Sequence, residues 1–293
     1  MRVCIAGKNE IAVRGLEYAL AHLGTDRVLA CPNGNDDGVS RWQPSLRRFA
    51  NEWGVQVVSL TDLYEHDDLV FICLEFDRIV RPDLFRSHRL FNIHFSKLPA
   101  YKGMYTAAWP ILNGEALSGV TLHKIDEGID TGDVIDQVGI PIPPQYTARD
   151  LYFDYMDAGI ALLRHNFASI LADRLTETPQ AAVGSSYYSK SSIDYGHLSL
   201  DLRNTAAFAI RQARAFHFRE FQIPEIQGLP VCNGHIQDTR SRAGAGRVRD
   251  DGNDGIIVST IDFDVRIERD SSWDNFQQRA AADVVGIANY RGD

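Results

Sequence analysis

The sequence predicts an α/β protein in which a doubly wound, largely parallel sheet is followed by a smaller β-rich C-terminal domain. In the first 140 residues, short continuous apolar runs alternate with amphipathic stretches. Continuous apolarity, as opposed to strict alternation, is typical of strands buried on both faces of a sheet. In the last third of the chain, short β-type segments separated by glycines replace this pattern. The two patterns together favour an α/β layer and a second, β-rich unit.

The elements of the first part follow one another as a doubly wound sheet requires. Apolar runs predict strands at residues 3–6, 28–31, 55–60, 69–74, 91–94, 120–123 and 134–135. A helix is predicted after the first strand, because Val13 and Leu16 lie at helical spacing and Gly24 supplies a stop. A long helix is predicted to begin at Thr147, since Asp150 three residues later completes a capping-box-like start.

A change of composition predicts where the first domain ends. Residues 176–186 are rich in Thr, Pro, Gln and Ser, so we expect one domain at residues 1–180 and a β-rich domain at residues 181–293. The second domain has a predicted helix near residues 205–215. Its predicted β-segments lie at residues 229–232, 246–249, 256–260 and 261–267. Residues 240–255, which are rich in Gly, Arg and Asp, are expected to form exposed loops.

Charge and composition exclude several classes of function. The chain has 293 residues, 44% of them apolar, and a formal net charge of -9. Neither half is basic, which argues against a nucleic-acid partner because phosphate binding needs clustered Lys and Arg. No apolar stretch approaches the roughly 20 residues that span a bilayer, and the N-terminus lacks a signal-like apolar region. The four cysteines are isolated, as reduced core thiols would be. We therefore expect a cytoplasmic protein without a membrane partner.

The loop after the first strand argues against nicotinamide or ATP binding. Doubly wound sheets bind ligands beyond the carboxyl ends of their strands, often through a glycine-rich turn. Here residues 7–12 read GKNEIA, with neither a G-x-G-x-x-G fingerprint nor a Walker A motif. A dinucleotide-dependent oxidoreductase is therefore a rival interpretation with little support.

Two polar residues at the end of a predicted strand are the first candidates for a functional site. Asn92 and His94 are two positions apart, so both side chains lie on one face of the strand. A lone buried histidine is more often part of a core, and that alternative would suffice if nothing else converged on it. Residues 119–133, however, run from a strand into an acidic loop hinged by glycines. Such a loop can bend back so that one of its aspartates meets His94.

These residues carry a resemblance to a known family. The motif N-x-H-x-S-x-L-P at residues 92–99 and the motif G-I-D-T-G at residues 128–132 resemble the folate-dependent formyltransferases. Within that family the chain looks most like the sugar N-formyltransferases that act on dTDP-4-amino-4,6-dideoxyglucose. The resemblance covers residues 1–140 well and the remainder more weakly. It implies the formyltransferase fold with a β-rich C-terminal domain.

The resemblance implies that Asn92, His94 and Asp130 are catalytic. A primary amine would attack the formyl carbon of N10-formyltetrahydrofolate, so negative charge develops on the formyl oxygen while the amine must lose a proton. The Asn92 amide can donate a hydrogen bond to that oxygen, and His94 can accept the proton. Asp130 would orient His94 and favour its charged form. No metal is expected, because nothing supplies three convergent His or Cys ligands.

The resemblance also implies that the pterin of the donor lies against backbone of residues 77–80 and 126–130. The cofactor-binding residues expected on this basis are Arg78, Val80, Asp126, Gly128 and Asp130. Two structural alternatives stay open at this point. Arg78 could form a surface salt bridge, and Asp126 could only cap a turn.

The acceptor is expected to be a dTDP-4-amino-4,6-dideoxyhexose, in the gluco form and formylated at C4, for surface polysaccharide (O-antigen) synthesis. Residues 98–106 and 119–137 resemble the sugar enzymes, and the C-terminal half lacks a basic face for tRNA. The residues expected to bind substrate are Lys102, Met104, Tyr105, Tyr187, Phe216 and Phe221. Lys102 would contact the pyrophosphate and an aromatic ring would stack on thymine. The alternatives are a solvated lysine and aromatic core packing.

Several alternatives remain open from the sequence. The hexose configuration and the choice between a C3 and a C4 amine are not determined. A methionyl-tRNA or other amine formyltransferase is the alternative enzyme, and a catalytically silent sugar-nucleotide-binding module is the non-enzyme alternative. A homodimer is expected from the resemblance to the sugar enzymes.

Overall fold

The structure, a computed structural model, describes residues 1–250 and 255–270. The helices are α1 (Asn9–Leu23), α2 (Leu46–Glu52), α3 (Ala108–Asn113), α4 (Ala148–Ala172) and α5 (Ala206–Ala215). The first strands are β1 (Arg2–Gly7), β2 (Val28–Pro32), β3 (Gln56–Val57), β4 (Leu69–Leu74), β5 (Leu90–His94), β6 (Lys102–Gly103) and β7 (Leu117–Lys124). The later strands are β8 (Val134–Pro141), β9 (Tyr187–Tyr188), β10 (Glu225–Ile226), β11 (Leu229–Arg240), β12 (Val248–Asp250), β13 (Gly255–Ser259) and β14 (Phe263–Arg269).

A seven-stranded sheet of order β3-β2-β1-β4-β5-β7-β8 confirms the predicted doubly wound architecture. Strands β1 to β5 pair in parallel, and β7 runs antiparallel to β5. Every residue of β4 is buried, as its uninterrupted apolar sequence predicts. On one side of the sheet, Cys4, Phe71 and Val80 belong to a single buried cluster. The sheet therefore provides a rigid base for the loops that leave its strand ends.

Helix boundaries agree with their predicted signals. Helix α1 ends before Gly24, which has a φ of 75° and whose N–H donates to the Leu20 carbonyl. At the start of α4, Thr147 N–H donates to the Asp150 carboxylate at 2.9 Å, and Asp150 N–H donates back to Thr147 Oγ1 at 3.3 Å. The predicted capping box is therefore confirmed.

The strand predicted at residues 55–60 is shorter than expected. Only Gln56–Val57 form β3. Val58 N–H still donates to the Ala30 carbonyl, but Ser59 N–H then donates to the Asp62 carboxylate at 2.7 Å. The turn that Asp62 stabilises ends the strand early, and apolarity alone did not reveal it.

The β-rich C-terminal part is a five-stranded antiparallel sheet of order β10-β11-β14-β13-β12. Helix α5 begins after Thr205, whose hydroxyl accepts the Phe208 N–H, and Ala206 and Ala213 share a buried cluster with Val231 and Val265. The sheet was expected from the glycine-separated β-segments. Residues 251–254 of the predicted exposed loop, and residues 271–293 of the predicted second domain, lie outside the described residues.

The chain divides into two compact units that are not continuous in sequence. Unit 1 comprises Met1–Met104, Ser118–Ile140 and Phe153–Tyr188. Unit 2 comprises Tyr105–Leu117, Pro141–Tyr152 and the described residues from Ser189 onward. The expectation of domains at residues 1–180 and 181–293 stays a prediction.

Three of the four cysteines are buried, as predicted, and all four are free thiols. Burial raises the pKa of the Cys31 thiol to about 11. Burial also raises the pKa values of Cys4 and Cys73. Among the described residues, no helix combines the length and apolarity needed to cross a bilayer.

Candidate active site

Asn92 and His94 lie at the carboxyl end of β5, where the sheet changes from parallel to antiparallel pairing. In the β5–β7 register, Asn92 stands opposite His123 and His94 stands opposite Thr121. Directly opposed residues of an antiparallel pair present their side chains on the same face. The strand end therefore places Asn92, His94 and His123 around one point, and His94 is buried.

Asp130 reaches the same point from the loop between β7 and β8. The loop folds back tightly, because a Cβ on Gly132 would lie 2.0 Å from the Lys124 carbonyl oxygen. Asp130 itself has a φ of 55°, in the left-handed region that few non-glycine residues occupy. The predicted meeting of a loop aspartate with His94 is observed, with 3.4 Å between Asp130 Oδ2 and His94 Nδ1.

The Asp130 carboxylate has donors on both oxygens. Asn92 Nδ2 donates to Oδ1 at 3.2 Å, and the Gly103 N–H donates to Oδ2 at 2.9 Å. His123 Nε2 lies 3.5 Å from Oδ1. Burial by itself would raise the pKa of the Asp130 carboxyl, but the charge that His94 and His123 carry when protonated, together with the hydrogen bonds, outweighs burial and lowers the pKa well below its usual range. Asp130 is therefore ionised at neutral pH.

The tautomer of His94 follows from its second contact. His94 Nε2 lies 2.9 Å from the Tyr101 carbonyl oxygen. A carbonyl only accepts, so Nε2 carries the hydrogen and Nδ1 of the neutral ring has a lone pair directed towards Asp130. The ring can thus take up a proton at Nδ1 beside a carboxylate that stabilises the resulting charge.

His123 is a member of the cluster to which the sequence analysis gave no role. Its Nδ1 lies 2.6 Å from the Lys124 carbonyl oxygen, so Nδ1 donates and Nε2 of the neutral ring accepts. Asn92 Nδ2 lies 3.1 Å from that Nε2. The only signal that could have identified His123 is its register opposite Asn92, which cannot be read before the strand pairing is known.

The residues expected to bind the donor are placed around these loops in different ways. Val80 is buried in the core cluster, so only its backbone can face a ligand. Arg78 is exposed and stacks on Phe76 with 6.0 Å between guanidinium carbon and ring centre; it forms no ion pair with residues 1–250 or 255–270. A residue missed from the sequence, the buried Asn33, fixes this loop by donating to the Glu75 carbonyl at 3.0 Å.

Asp126 caps the turn that carries Asp130, as one of the two sequence interpretations proposed. Its Oδ1 accepts the Gly128 N–H at 3.1 Å and the Thr131 hydroxyl at 2.7 Å. A Cβ on Gly128 would lie 2.0 Å from that hydroxyl oxygen, so a larger residue would displace the Thr131 side chain from Asp126. Asp126 is exposed, and its contribution to donor binding stays a prediction.

Lys102, Met104 and Tyr187 lie together in unit 1, on a two-stranded ribbon formed by β6 and β9. Lys102 is only 9% exposed and its Nζ donates to Ser185 Oγ at 3.0 Å, so the alternative of an exposed, solvated lysine is wrong. Met104 and Tyr187 are 46% and 53% exposed. The ribbon therefore combines a buried ammonium group with two accessible apolar side chains.

The other three residues expected to bind substrate belong to unit 2. Phe216 is buried, with its ring 6.4 Å from that of Tyr195, which favours core packing. Tyr105 donates its hydroxyl to the Lys190 carbonyl at 3.0 Å. Phe221 is 39% exposed, with its ring centre 4.9 Å from that of Phe218. Of the three, Phe221 presents the most accessible ring.

The described residues contain no group of three or more His, Cys, Asp or Glu side chains that could hold a metal ion. The cluster comprises a candidate general base, His94, beside the Asp130 carboxylate, with the Asn92 amide directed at the same point. Such a set can accept a proton from a nucleophile and stabilise a developing oxyanion.

Comparisons with known proteins agree with this chemistry. Residues 42–165 match the family model described as formyl transferase. The structure of WlaRD, a sugar 3N-formyl transferase in the presence of dTDP and 5-N-formyl-THF, has a TM-score of 0.85 and 38% identity, covering 92% of this chain and 98% of that one. The N-formyltransferase from Helicobacter canadensis in complex with folinic acid and dTDP-3-aminofucose has a TM-score of 0.84 and 40% identity, covering 92% and 99%.

Curated relatives match a shorter stretch. The methionyl-tRNA formyltransferase of Alkaliphilus oremlandii (strain OhILAs) is 30% identical over 178 residues, which are 59% of this chain and 56% of that protein. The chain therefore spans little more than half the length of this curated relative.

Proposed function

This chain belongs to the folate-dependent formyltransferase family, and from that premise we propose that it formylates the amine of a dTDP-linked amino-dideoxyhexose with N10-formyltetrahydrofolate as donor. The observation that carries the proposal is the similarity at 38% and 40% identity, over nearly the whole of each partner, to two sugar N-formyltransferases. The cluster of Asn92, His94 and Asp130 supplies the chemistry that such a transfer needs.

The transfer follows from the geometry of the cluster. The amine nitrogen attacks the formyl carbon, and the carbonyl electron pair moves to the formyl oxygen. The amine proton passes to Nδ1 of His94, whose Nε2–H is held by the Tyr101 carbonyl. The tetrahedral intermediate then collapses, the bond from the formyl carbon to N10 of the folate breaks, and N10 takes the proton from His94. Ionised Asp130 stabilises the imidazolium that exists between the two proton transfers.

Asn92 stabilises the negative charge on the formyl oxygen. Its Nδ2 has two hydrogens, one directed to Asp130 and one to His123. The formyl oxygen competes with His123 for the second hydrogen, because the contact with the charged carboxylate is the stronger of the two. The Asp130 contact therefore keeps the amide oriented while the other hydrogen serves the reaction.

Lys102 is proposed to bind the diphosphate of the acceptor. Lysine side chains are almost never fully buried unless they are paired. Among residues 1–250 and 255–270, Lys102 has no carboxylate partner; its one acceptor is the neutral Ser185 hydroxyl. An ammonium group has three hydrogens, so phosphate oxygens can occupy the remaining positions. Tyr187, exposed on the neighbouring strand β9, is the ring of unit 1 proposed to contact the nucleotide.

The similar sugar enzymes favour a C3 amine over the C4 amine expected from the sequence, because one is a 3-N enzyme and the other is complexed with dTDP-3-aminofucose. We therefore propose a dTDP-3-amino-3,6-dideoxyhexose as the preferred acceptor. The gluco configuration, the role in surface polysaccharide synthesis, the cytoplasmic location and the homodimer stay predictions.

An acceptor panel tests the proposal. The purified protein is incubated with N10-formyltetrahydrofolate and, separately, with dTDP-3-amino and dTDP-4-amino hexoses of gluco and galacto configuration and with methionyl-tRNA, and formylated products are identified by mass spectrometry. Transfer to a 3-amino sugar is expected. Preference for a 4-amino sugar would restore the expectation from the sequence. Transfer to methionyl-tRNA with every sugar untouched would contradict the proposed acceptor class, and no transfer at all would favour a catalytically silent module.

A further inference from the structure

One irregular segment of unit 1 is hydrogen-bonded to both loops that build the candidate active site. We call residues 178–188 the brace segment. Its composition indicated a domain boundary, and it contains little regular structure. Near its beginning, Gln180 contacts the loop of Asp130. Near its end, Ser186 and Tyr188 contact the loop that leads from Pro99 to Met104.

The first contact holds the backbone around Asp130. Gln180 Nε2 donates to the Asp130 carbonyl at 2.9 Å and to the Gly132 carbonyl at 2.8 Å. Two residues earlier, Thr178 and Val134 exchange a pair of backbone hydrogen bonds of 2.8 Å each. Since Asp130 has a φ of 55°, its backbone needs such external bonds to stay in a strained conformation.

The second contact holds the loop that faces His94. Tyr101 N–H donates to Ser186 Oγ at 2.8 Å, and Lys102 N–H donates to the Ser186 carbonyl at 2.9 Å. This loop presents the Tyr101 carbonyl to His94 Nε2, and the Gly103 N–H to Asp130 Oδ2. The brace segment thus contacts both the loop that holds His94 and the loop that carries Asp130.

Building on the proposed function, we propose that Gln180 is a positioning residue for formyl transfer. By holding the Asp130 and Gly132 carbonyls, it fixes the carboxylate that faces His94. Its side chain does not contact that carboxylate; it acts only through the backbone of the loop. No other side chain of residues 1–250 or 255–270 is seen bridging these two carbonyls.

The chemistry makes glutamine specific for this role. The amide nitrogen supplies two hydrogens to two acceptors, whereas a glutamate of the same length would place a carboxylate against two carbonyl oxygens. A misplacement of about 1 Å near reacting atoms can cost on the order of 10²-fold in rate. Loss of the Gln180 contacts should therefore lower kcat by about 10- to 100-fold.

The first experiment compares Gln180→Ala and Gln180→Glu with a matched control, Asn166→Ala. Asn166 lies in the same unit, is also half-buried, and uses its amide nitrogen for two hydrogen bonds, to Asp136 Oδ2 and to the Leu162 carbonyl, away from the site. Both Gln180 variants should lose kcat, with KM for donor and acceptor changed by no more than about twofold. Asn166→Ala should keep the kcat of the parent. Equal kcat in all three variants would overturn the proposal.

The second experiment repeats Gln180→Ala in an Asp130→Asn background. If Gln180 acts only through the Asp130 carboxylate, the added substitution should lower kcat by no more than about twofold, because the two changes disturb one interaction. A double variant whose loss equals the product of the single losses would contradict a positioning role.

The third experiment needs no substrate. Hydrogen exchange of the Gly103 N–H reports its bond to Asp130 Oδ2. Exchange should be faster in both Gln180 variants and unchanged in Asn166→Ala; an unchanged rate in the Gln180 variants would overturn the proposal. If the parent enzyme formylates no dTDP-amino sugar, the proposed function fails, while this exchange rate still decides whether Gln180 positions Asp130.

Discussion

Asp130 combines a charge, a strained backbone and four polar neighbours within one residue. Its position explains why the three candidate catalytic residues should act as one group. Asn92 and His94 do not contact each other in the hydrogen-bond network; each contacts Asp130. Removal of any one side chain therefore disturbs the orientation of the others. Substitutions of two of these residues are therefore expected to have less than the combined effect of the two single substitutions.

We predict that Asn92→Ala, His94→Ala and Asp130→Ala each lower kcat by at least about 10²-fold, because all three serve one transition state. The losses should not multiply. Single-turnover rates of the single and double variants check this, with folding followed by circular dichroism. A His94→Ala, Asp130→Ala double variant as slow as the product of the two single losses would contradict the shared site.

Lys102→Met tests the buried ammonium group. The change keeps an unbranched side chain one atom shorter and removes the charge, so KM for the sugar nucleotide should rise by about tenfold or more while kcat changes little. Inhibition by dTDP should weaken by the same factor. Lys97→Met is the control, because Lys97 is an exposed lysine nearby in the chain. The assignment is wrong if both variants bind dTDP as tightly as the parent.

At the residue scale, the sequence predicts functional residues that belong to a motif, but it does not predict those that reach the site only through strand register or long-range contacts. Asn92, His94 and Asp130 come from two motifs of fixed spacing. His123 lies within residues 119–133, yet its role depends on its position opposite Asn92 in the β5–β7 register. Gln180 lies among Thr, Pro and Ser residues that resemble a linker, so no local pattern distinguishes it.

At the scale of secondary-structure elements, long apolar strands were predicted and very short strands were not. Strands such as β4 were predicted to the residue because continuous apolarity marks burial on both faces. The ribbon of β6 and β9 was missed, because two residues per strand cannot display a period. Its parallel pairing joins positions more than 80 residues apart, as Lys102 aligns with Tyr187.

Gly103→Ala should disrupt this ribbon. Gly103 has a φ of 87°, and an added Cβ would lie 2.2 Å from the Tyr188 carbonyl oxygen. Gly184→Ala is the matched control, since Gly184 has a φ of 80° with no atom within 4 Å of the added Cβ. The control should lose about 1 kcal/mol of stability from backbone strain alone. Gly103→Ala should lose more stability, and also kcat, in urea unfolding and activity measurements. If both variants lost the same stability and kcat, the close contact between Gly103 and Tyr188 would not matter for the ribbon.

At the scale of the whole molecule, the net charge can be read from the sequence, whereas contacts between distant segments cannot. The net charge of -9 and the absence of a basic half need only counting. Unit 2 includes Tyr105–Leu117 and Pro141–Tyr152, two stretches that lie in the sequence between segments of unit 1 and have no distinctive composition. Long-range contacts decide such a division, and a single sequence does not display them.

The stability of unit 2 should depend on pH through His217. This histidine is 4% exposed, and burial lowers its pKa against the opposing effect of Asp270, whose Oδ2 lies 2.9 Å from Nε2. Arg219, which also binds Asp270, lowers the pKa of His217 further, whereas the charge of Asp150 raises it. The unfolded chain takes up a proton near pH 6.5 while the folded chain does not, so stability falls as pH drops below about 6.5.

His217→Gln checks the sign of this effect. Glutamine can still donate to Asp270 but does not titrate. The loss of stability between about pH 7.5 and about pH 5.5, one unit on either side of the reference histidine pKa, should therefore become smaller. Hydrogen exchange of α5 and β11 measures it within unit 2. His22→Gln, at an exposed histidine of unit 1, should leave the pH dependence unchanged. A His217→Gln protein with the parent's pH dependence would show that another group is responsible.

The middle of the brace segment is exposed, which makes it suitable for site-specific labelling. Between its two contacts, Val183 is 90% exposed, and Gly184 has no neighbouring atom within 4 Å of an added Cβ. The native thiols are poor competitors for a reagent, because Cys4, Cys31 and Cys73 are buried and the pKa of the half-buried Cys232 is raised to about 11, first by burial. A Val183→Cys protein should therefore react with a maleimide dye at one position. A fluorophore there would lie in the sequence between Gln180, which holds the Asp130 loop, and Ser186, which holds the loop of Tyr101, and its emission is expected to respond when either loop moves.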